Sequence, residues 1–276
     1  MTSAGGEVAL SVDAGGIVTN YHDNGSGPVV VLLHGSGPGV SAWANWRPVI
    51  PLLSKRFRVV APDIVGFGYT ERPAGFEYRL PSWLEHLDAF LDALHIERAH
   101  LVGNSFGGAL SLWLAAETSK VKRMVLMGSA GTRFDLTPGL DEVWGYEPAL
   151  DNMRKLLHLF AYDQTIATDE LVRLRFEAST RPGVQESYRA MFPAPRQQWI
   201  DALALPEDRI QALTNDVLVV HGREDQVIPA ASSVRLSQLI DRSQLHVFGR
   251  CGHWTQIEQT ERFTRLVGDF LAEADG

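Results

Sequence analysis

The chain has 276 residues, of which 45% are hydrophobic and 21% charged, with a formal net charge of −8. This composition is typical of a globular protein, and the length allows one α/β core with an insertion. The negative net charge argues against a nucleic-acid partner, because the chain has no basic stripe to neutralise phosphates. It is compatible with an anionic small substrate, which responds to local charge rather than to the total.

The N-terminal residues MTSAGGEVAL lack a basic region and an apolar run, so a signal peptide is not expected there. No apolar stretch reaches the roughly 18 residues of a membrane helix. We therefore expect a cytoplasmic protein with no membrane partner.

Short apolar, β-branched runs follow one another along the chain. They are Val29 to Leu33, Arg58 to Ala61, His100 to Val102, Val121 to Met127, Val217 to Val220 and Leu245 to Phe248. Helix-length segments separate most of them, including Ser82 to Leu94, Phe106 to Glu117 and Ala230 to Ile240. This alternation predicts βαβ units and a mostly parallel sheet, preceded by an antiparallel hairpin in the stretch before Asn20.

The alternation stops between about Thr132 and Leu205. This segment has no strand-like run and several helical stretches separated by prolines. Inserted between two strands, it predicts a helical cap over the carboxyl edge of the sheet, where open α/β sheets bind their ligands. The predicted division is residues 1–131 and 206–276 for the core and 132–205 for the cap.

A nucleophile motif lies between the strand at Ala99 to Val102 and the helix that follows. Residues Gly103 to Gly107 read GNSFG and fit G-x-S-x-G in its required strand–turn–helix context. The helix N-terminus that follows places positive partial charge near a developing oxyanion. Ser105 is therefore the predicted nucleophile; a structural glycine-rich turn is the alternative.

The partners of a catalytic serine follow in the order acid, then histidine. Asp225 lies in the loop after the strand VLVV, and His253 lies in the loop after LHVF. Both loops are at the carboxyl ends of late strands, where their side chains can converge on Ser105. His253 would take the proton from Ser105, and Asp225 would fix the histidine tautomer.

Four neighbouring residues compete for these roles. Glu224 is an alternative acid, but adjacent loop residues point in different directions, and Asp225 is preferred. His34 and His221 each precede a glycine at a strand end, where a structural role in bonding loop backbone is expected. Cys251, the single cysteine, excludes an intramolecular disulfide and suits a reducing compartment; no elbow presents it, so a small buried filler is expected.

An oxyanion hole needs two backbone N–H groups. Phe106 supplies one, and the glycine-rich loop beginning at His34 supplies the other, from Ser36 or Gly37. This loop is not a dinucleotide fingerprint, because Val40 stands where its last glycine belongs. No P-loop, H-E-x-x-H motif or Cys/His cluster is found, so neither a cofactor nor a metal is predicted.

Several motifs together resemble the meta-cleavage product hydrolases, α/β-hydrolases that cleave carbon–carbon bonds in ring-fission products of aromatic degradation. They are HGSGPGVSAWANW, PDIVGFGYTERP, GNSFGG, RFEASTRPG, MFPAPRQQW, HGREDQVIP and CGHWTQIE, and they span nearly the whole chain. GNSFGG and GFGYTERP resemble the branch that acts on single-ring products, such as 2-hydroxymuconic semialdehyde hydrolase. The biphenyl-derived branch more usually has methionine where this chain has Phe106.

The resemblance implies an eight-stranded α/β-hydrolase fold, with the triad at Ser105, Asp225 and His253. It also implies a dienoate pocket formed by two asparagines, a cap arginine and a tryptophan, at Asn45, Asn104, Arg175 and Trp254. The alkyl end of the substrate would be lined by Ala130, Leu140, Trp144, Ile200, Val227 and Ile228. The family commonly self-associates, which leaves a homo-oligomer open.

The position of Arg175 supports an anion site independently. If Glu170 to Ser179 is helical, Arg175 falls between Leu171 and Val172, inside the apolar arc. A buried cation needs an anionic partner. The alternative is an arginine whose charged end reaches water.

The expected substrate is a 2-hydroxy-6-oxo-hexa-2,4-dienoate with hydrogen or a small alkyl group on C6, an anionic small molecule. Covalent attack by the serine and a gem-diol route both remain open. A carboxylesterase would use the same triad without the carboxylate pocket. A non-catalytic ligand receptor that keeps this fold is the alternative from another class, and the intact triad and oxyanion loop argue against it. Dehalogenase and epoxide-hydrolase functions are excluded, because those relatives have aspartate at the position of Ser105.

Overall fold

A computed structural model describes residues 6–273. The expectation that the N-terminus holds no signal peptide concerns residues 1–10, and the first five of these lie outside the described residues. The strands form one eight-stranded sheet in the order β1-β2-β4-β3-β5-β6-β7-β8. Their bounds are β1 Leu10–Asp13, β2 Val18–Asn24, β3 Val29–Leu33, β4 Arg58–Pro62, β5 Ala99–Asn104, β6 Val121–Met127, β7 Val217–Gly222 and β8 Ser243–Phe248. Strands β1 and β2 pair antiparallel, as do β2 and β4, and the remaining pairs are parallel.

Helices cover both faces of the sheet. Those outside the insertion are α1 Ala42–Trp46, α2 Ile50–Leu53, α3 Leu80–Ala93, α4 Phe106–Glu117, α10 Glu207–Gln211, α11 Ala230–Leu239, α12 Thr255–Glu258 and α13 Thr260–Ala272. Those inside it are α5 Pro138–Trp144, α6 Leu150–Phe160, α7 Asp169–Ser179, α8 Val184–Met191 and α9 Gln197–Leu203, with one 3₁₀ turn at Gln164–Ile166.

The period-2 alternation of the strands separates two apolar cores. In β3, Val31 and Leu33 join the core that includes α3, α4 and the insertion, whereas Val30 and Leu32 face α1, α2 and α13. Successive side chains of a strand point to opposite faces, so a buried parallel strand is apolar throughout. The sheet is therefore buried on both sides, and its carboxyl edge is left for the loops.

The predicted fold class is confirmed: an eight-stranded, mostly parallel sheet flanked by helices, with an antiparallel hairpin at its start. Each predicted strand is present, and most are longer than predicted by one to three residues. The hairpin continues beyond the predicted limit of Asn20, because β2 runs to Asn24 in order to pair with β4.

The segment between residues 132 and 205 is helical, and the structure has no strand in it. The two ends of this insertion are joined, because Leu205 N donates to Gly131 O at 3.0 Å. The chain therefore leaves and re-enters the core at one point beside the carboxyl end of β6. None of the described helices has the length and apolar character needed to cross a lipid bilayer.

Candidate active site

Ser105 lies in a sharp turn between β5 and α4. Its φ of 53° is in the left-handed region, which L-residues with side chains rarely adopt. The flanking glycines make this turn possible. A Cβ on Gly103 would lie 2.4 Å from Gly107 O, and one on Gly107 would lie 2.3 Å from Leu33 O. The G-x-S-x-G spacing thus has a steric cause here.

His253 and Asp225 are hydrogen-bonded, with 2.7 Å between His253 Nδ1 and Asp225 Oδ2. The other carboxylate oxygen of Asp225 accepts from Val227 N at 2.7 Å and Ile228 N at 3.0 Å. Burial acts to raise the pKa of Asp225, but His253 and these hydrogen bonds hold it below its usual value. Since an ionised carboxylate only accepts, Nδ1 carries a ring proton, and in the neutral imidazole Nε2 has the free lone pair.

The competing residues have other partners. Glu224 accepts from Cys251 N at 2.9 Å and from Arg223 Nε at 2.8 Å, and among the described residues it forms no hydrogen bond or ion pair with His253. His221 is buried and bonds Ser233 Oγ at 2.7 Å and Ile228 O at 3.1 Å; its Nε2 also lies 3.4 Å from Asp225 Oδ2, farther than the 2.7 Å of His253 Nδ1. Cys251 is fully buried, and burial raises the pKa of its thiol to about 12.

His34 also has the structural role predicted for it. Its Nδ1 donates to Gly35 O at 2.7 Å, and its Nε2 accepts from Ile64 N at 3.0 Å. Burial lowers the pKa of His34 to about 4, so the ring is neutral near pH 7.

Ser105 and His253 line one cavity of about 200 Å³ between the sheet edge and the insertion. In the part of the chain that the structure describes, no hydrogen bond joins Ser105 Oγ to His253. Such bonds are often long in ligand-free enzymes and tighten when substrate binds. The hydroxyl and the imidazole therefore line one cavity, as a serine and its base must.

The loop after β3 forms another part of this wall. Ser36 and Gly37 both line the cavity, and Ser36 Oγ accepts from Trp144 Nε1 of α5 at 3.0 Å. Phe106 is the first residue of α4, and its ring packs edge-on against Trp83, with centroids 4.8 Å apart. The insertion thus holds the glycine-rich loop in place through the hydrogen bond of Trp144 to Ser36.

Arg175 lies on α7 and is 9% exposed. It donates to Pro38 O at 3.2 Å, and among the described residues it forms no ion pair. Burial lowers the pKa of this guanidinium. A buried cation without a contacting anion fits the predicted site for an anionic ligand.

Both predicted asparagines and the predicted tryptophan also line the cavity. Asn45 Nδ2 is buried and has no hydrogen-bond partner within residues 6–273, so it is a free donor there. Asn104 Nδ2 donates to Met127 O at 3.3 Å. Trp254 stacks on Phe160 of α6, with centroids 4.9 Å apart. These three side chains and Arg175 thus line the same cavity as Ser105 and His253.

The six residues expected at the alkyl end divide into two sets. Leu140 and Val227 line the cavity. The other four are buried but are not on its wall, in contrast to the expectation: Ala130, Trp144, Ile200 and Ile228. Three of them contact residues of the site instead: Trp144 Nε1 donates to Ser36 Oγ, Ala130 N donates to Ser105 O, and Ile228 N donates to Asp225 Oδ1.

The sequence did not identify several apolar wall residues, which come from α5, α6, the 3₁₀ turn, α7 and α12. They are Val143, Met153, Leu157, Phe160, Ile166, Leu171, Leu174 and Ile257. It also missed two charged wall residues, Glu7 and Arg47. The described residues contain no group of three or more His, Cys, Asp and Glu side chains able to hold a metal ion.

Comparisons with known proteins agree with this geometry. Residues 28–260 match the family described as alpha/beta hydrolase fold. The 2-hydroxy-6-oxo-2,4-heptadienoate hydrolase of Pseudomonas putida is 59% identical over 276 residues, which is 100% of each chain. The chain belongs to the meta-cleavage product hydrolases.

Two further relatives support this family membership. The 2-hydroxymuconate semialdehyde hydrolase of a Pseudomonas species is 57% identical, with 98% of this chain and 95% of that protein covered. A solved meta-cleavage product hydrolase from Pseudomonas fluorescens IP01, a mutant complexed with acetates, superimposes with a TM-score of 0.96 at 61% identity. That match covers 98% of this chain and 99% of the solved one.

Proposed function

We propose that this enzyme hydrolyses the C5–C6 bond of a 2-hydroxy-6-oxo-hexa-2,4-dienoate with hydrogen or a small alkyl group on C6. The products are 2-hydroxypenta-2,4-dienoate and a small carboxylic acid. One observation carries the proposal: Ser105 and His253 share a cavity with the buried, unpaired cation of Arg175. Relatives at 57–59% identity are named for substrates of this class.

In the proposed binding mode, Arg175 and Asn45 hold the carboxylate and the 2-oxo group. A guanidinium can bond a carboxylate in bidentate fashion, and Asn45 Nδ2 offers an unused donor. Asn104 and Trp254 complete the polar end, and Leu140 and Val227 flank the C6 substituent. The insertion acts as a cap that excludes water from the cavity.

The reaction begins with ketonisation of the dienol, which adds a proton to C5 and makes it a saturated carbon. When the C5–C6 bond later breaks, the electron pair left on C5 is conjugated to the 2-oxo group. Ser105 then attacks C6, or activates a water that forms a gem-diol, and His253 Nε2 takes the proton. The C6 oxyanion is stabilised by the N–H of Phe106 and by one from Ser36 or Gly37. The C5–C6 electron pair passes into the dienolate, which is protonated to 2-hydroxypenta-2,4-dienoate. In the gem-diol route this step frees the small acid directly, whereas in the covalent route a water activated by His253 then hydrolyses the acyl ester of Ser105 and releases it.

Asp225 has a supporting role in this proposal. Its hydrogen bond keeps Nε2 of His253 available as a base and stabilises the imidazolium that forms. Its two backbone hydrogen bonds fix the carboxylate in place. Asp225 itself gains no proton.

The test is turnover of coloured ring-fission products that differ only at C6, followed by loss of visible absorbance, beside p-nitrophenyl acetate. We expect the C6-hydrogen and C6-methyl dienoates to give kcat/KM values far above that of the ester, and a C6-phenyl analogue to be slower. A carboxylesterase would prefer the ester. Ligand-induced stabilisation with turnover of neither substrate would indicate a receptor.

A further inference from the structure

Glu7 is the one carboxylate on the cavity wall among the described residues. It precedes β1 and lies far in sequence from the triad, yet it is held firmly. Its carboxylate accepts from Ser41 Oγ, and its backbone O accepts from Asn20 Nδ2 at 3.0 Å. The same asparagine accepts from Ala9 N at 3.0 Å, so Asn20 holds the segment at both Glu7 and Ala9.

Ser41 connects Glu7 to the polar end of the cavity. Its hydroxyl caps α1 by accepting from Ala44 N at 3.0 Å. Helix α1 carries Asn45, and Arg47 follows directly after it. Glu7 therefore lies beside the elements that we assign to the substrate carboxylate.

The charge of Glu7 is not neutralised by contact. Within the described residues it forms no ion pair, and its bonded partner Ser41 is neutral. Its field nevertheless reaches Arg175: burial lowers the pKa of that guanidinium most, and Glu7 opposes the effect whereas Arg47 adds to it. The wall thus carries two arginines and one carboxylate that interact through space.

We propose that Glu7 is a specificity-determining residue that limits how tightly the cavity holds an anion. In the free enzyme its charge offsets part of the cost of the buried Arg175 cation. When a carboxylate binds Arg175, the same charge repels it, which weakens binding and promotes release of the anionic product. This inference rests on the proposed function only for the identity of the natural anion.

The Glu7→Gln variant tests this role directly. Glutamine keeps an acceptor for the Ser41 hydroxyl and removes only the charge. The probe is hexa-2,4-dienoate, a stable anion with the same conjugated chain, and its neutral control is hexa-2,4-dienamide. Calorimetric titration into the full-length protein should show a Kd for the anion that is roughly three- to tenfold lower in Glu7→Gln, with the amide unchanged.

The matched control is Glu142→Gln, which removes one negative charge from an exposed position on α5. It should leave both Kd values unchanged, and raising the salt concentration should reduce the effect of Glu7→Gln. An unchanged or higher Kd for the anion in Glu7→Gln would overturn the proposal, as would an equal change for the amide. Because the titration needs no turnover, failure to cleave dienoates would refute the proposed function alone.

Discussion

Glu258 connects the insertion to the loop that carries His253. Its Oε2 accepts from Tyr162 N at 2.8 Å and Asp163 N at 2.9 Å, and its Oε1 accepts from Gly252 N at 2.7 Å. Trp254 N donates to Phe160 O at 3.1 Å beside this contact. One half-buried carboxylate thus satisfies three backbone donors from two parts of the chain.

Replacing Glu258 by glutamine should weaken this junction. The glutamine oxygen can still accept from one side, but its NH₂ group faces an N–H on the other side and leaves at least one donor unsatisfied. Hydrogen bonds to charged groups are worth about 1.5–3 kcal/mol each, so we expect a loss of about 2–4 kcal/mol in the free energy of unfolding. Because Gly252 adjoins His253, kcat should also fall, by roughly tenfold.

Urea unfolding and dienoate turnover measure these two effects. The matched control is Glu261→Gln, an exposed position three residues further along the chain. It should unfold and turn over like the unmodified protein. If Glu258→Gln had the same unfolding midpoint and kcat as Glu261→Gln, the contact would neither stabilise the fold nor position the histidine.

Two further predictions concern a binding residue and a buried histidine. Arg175→Gln should reduce kcat/KM for the dienoate by about a hundredfold and leave p-nitrophenyl acetate turnover within about twofold of the unmodified enzyme. The reason is that only the dienoate has a carboxylate, which loses its guanidinium partner in this variant. If the variant and the unmodified enzyme had equal kcat/KM values for the dienoate, Arg175 would have no role in substrate binding. Burial lowers the pKa of His86 to about 4 from 6.5, so the unfolded chain binds the proton first and stability falls as the pH falls below 6.5. His86→Leu should therefore reduce the loss of unfolding free energy between pH 7 and pH 5 by about 2 kcal/mol, measured by urea titration at both pH values. The control is His158→Leu, which replaces a half-buried histidine. An unchanged pH dependence in His86→Leu would contradict the prediction.

The strands of the sheet, and the location of Ser105, Asp225 and His253 in loops at its carboxyl edge, could be predicted from the sequence. These features are local: an apolar run ends, and a short motif at its carboxyl end carries the functional side chain. Parallel strands bring such ends to one edge, so local motifs are enough to assemble the site. Arg175 could be placed for a similar reason, since helical periodicity alone put it in an apolar arc.

The rest of the wall depends on contacts between distant segments. Glu7 reaches the cavity through Asn20 and Ser41, and nothing in residues 6–9 themselves indicates this. The location of Trp144 and Ile200 away from the described cavity wall has a related cause. The orientation of a short cap helix depends on its packing, and a small rotation turns a wall residue toward the core.

The most direct test of the proposed mechanism is to measure dienoate turnover and binding by the Ser105→Ala variant. This variant should bind the dienoate with about the same affinity as the unmodified enzyme, while its kcat falls on the order of 10³-fold or more. Loss of visible absorbance under saturating dienoate measures kcat, and calorimetric titration with hexa-2,4-dienoate measures binding. A Ser105→Ala protein with near-native kcat would contradict the assignment of Ser105 as the reacting hydroxyl.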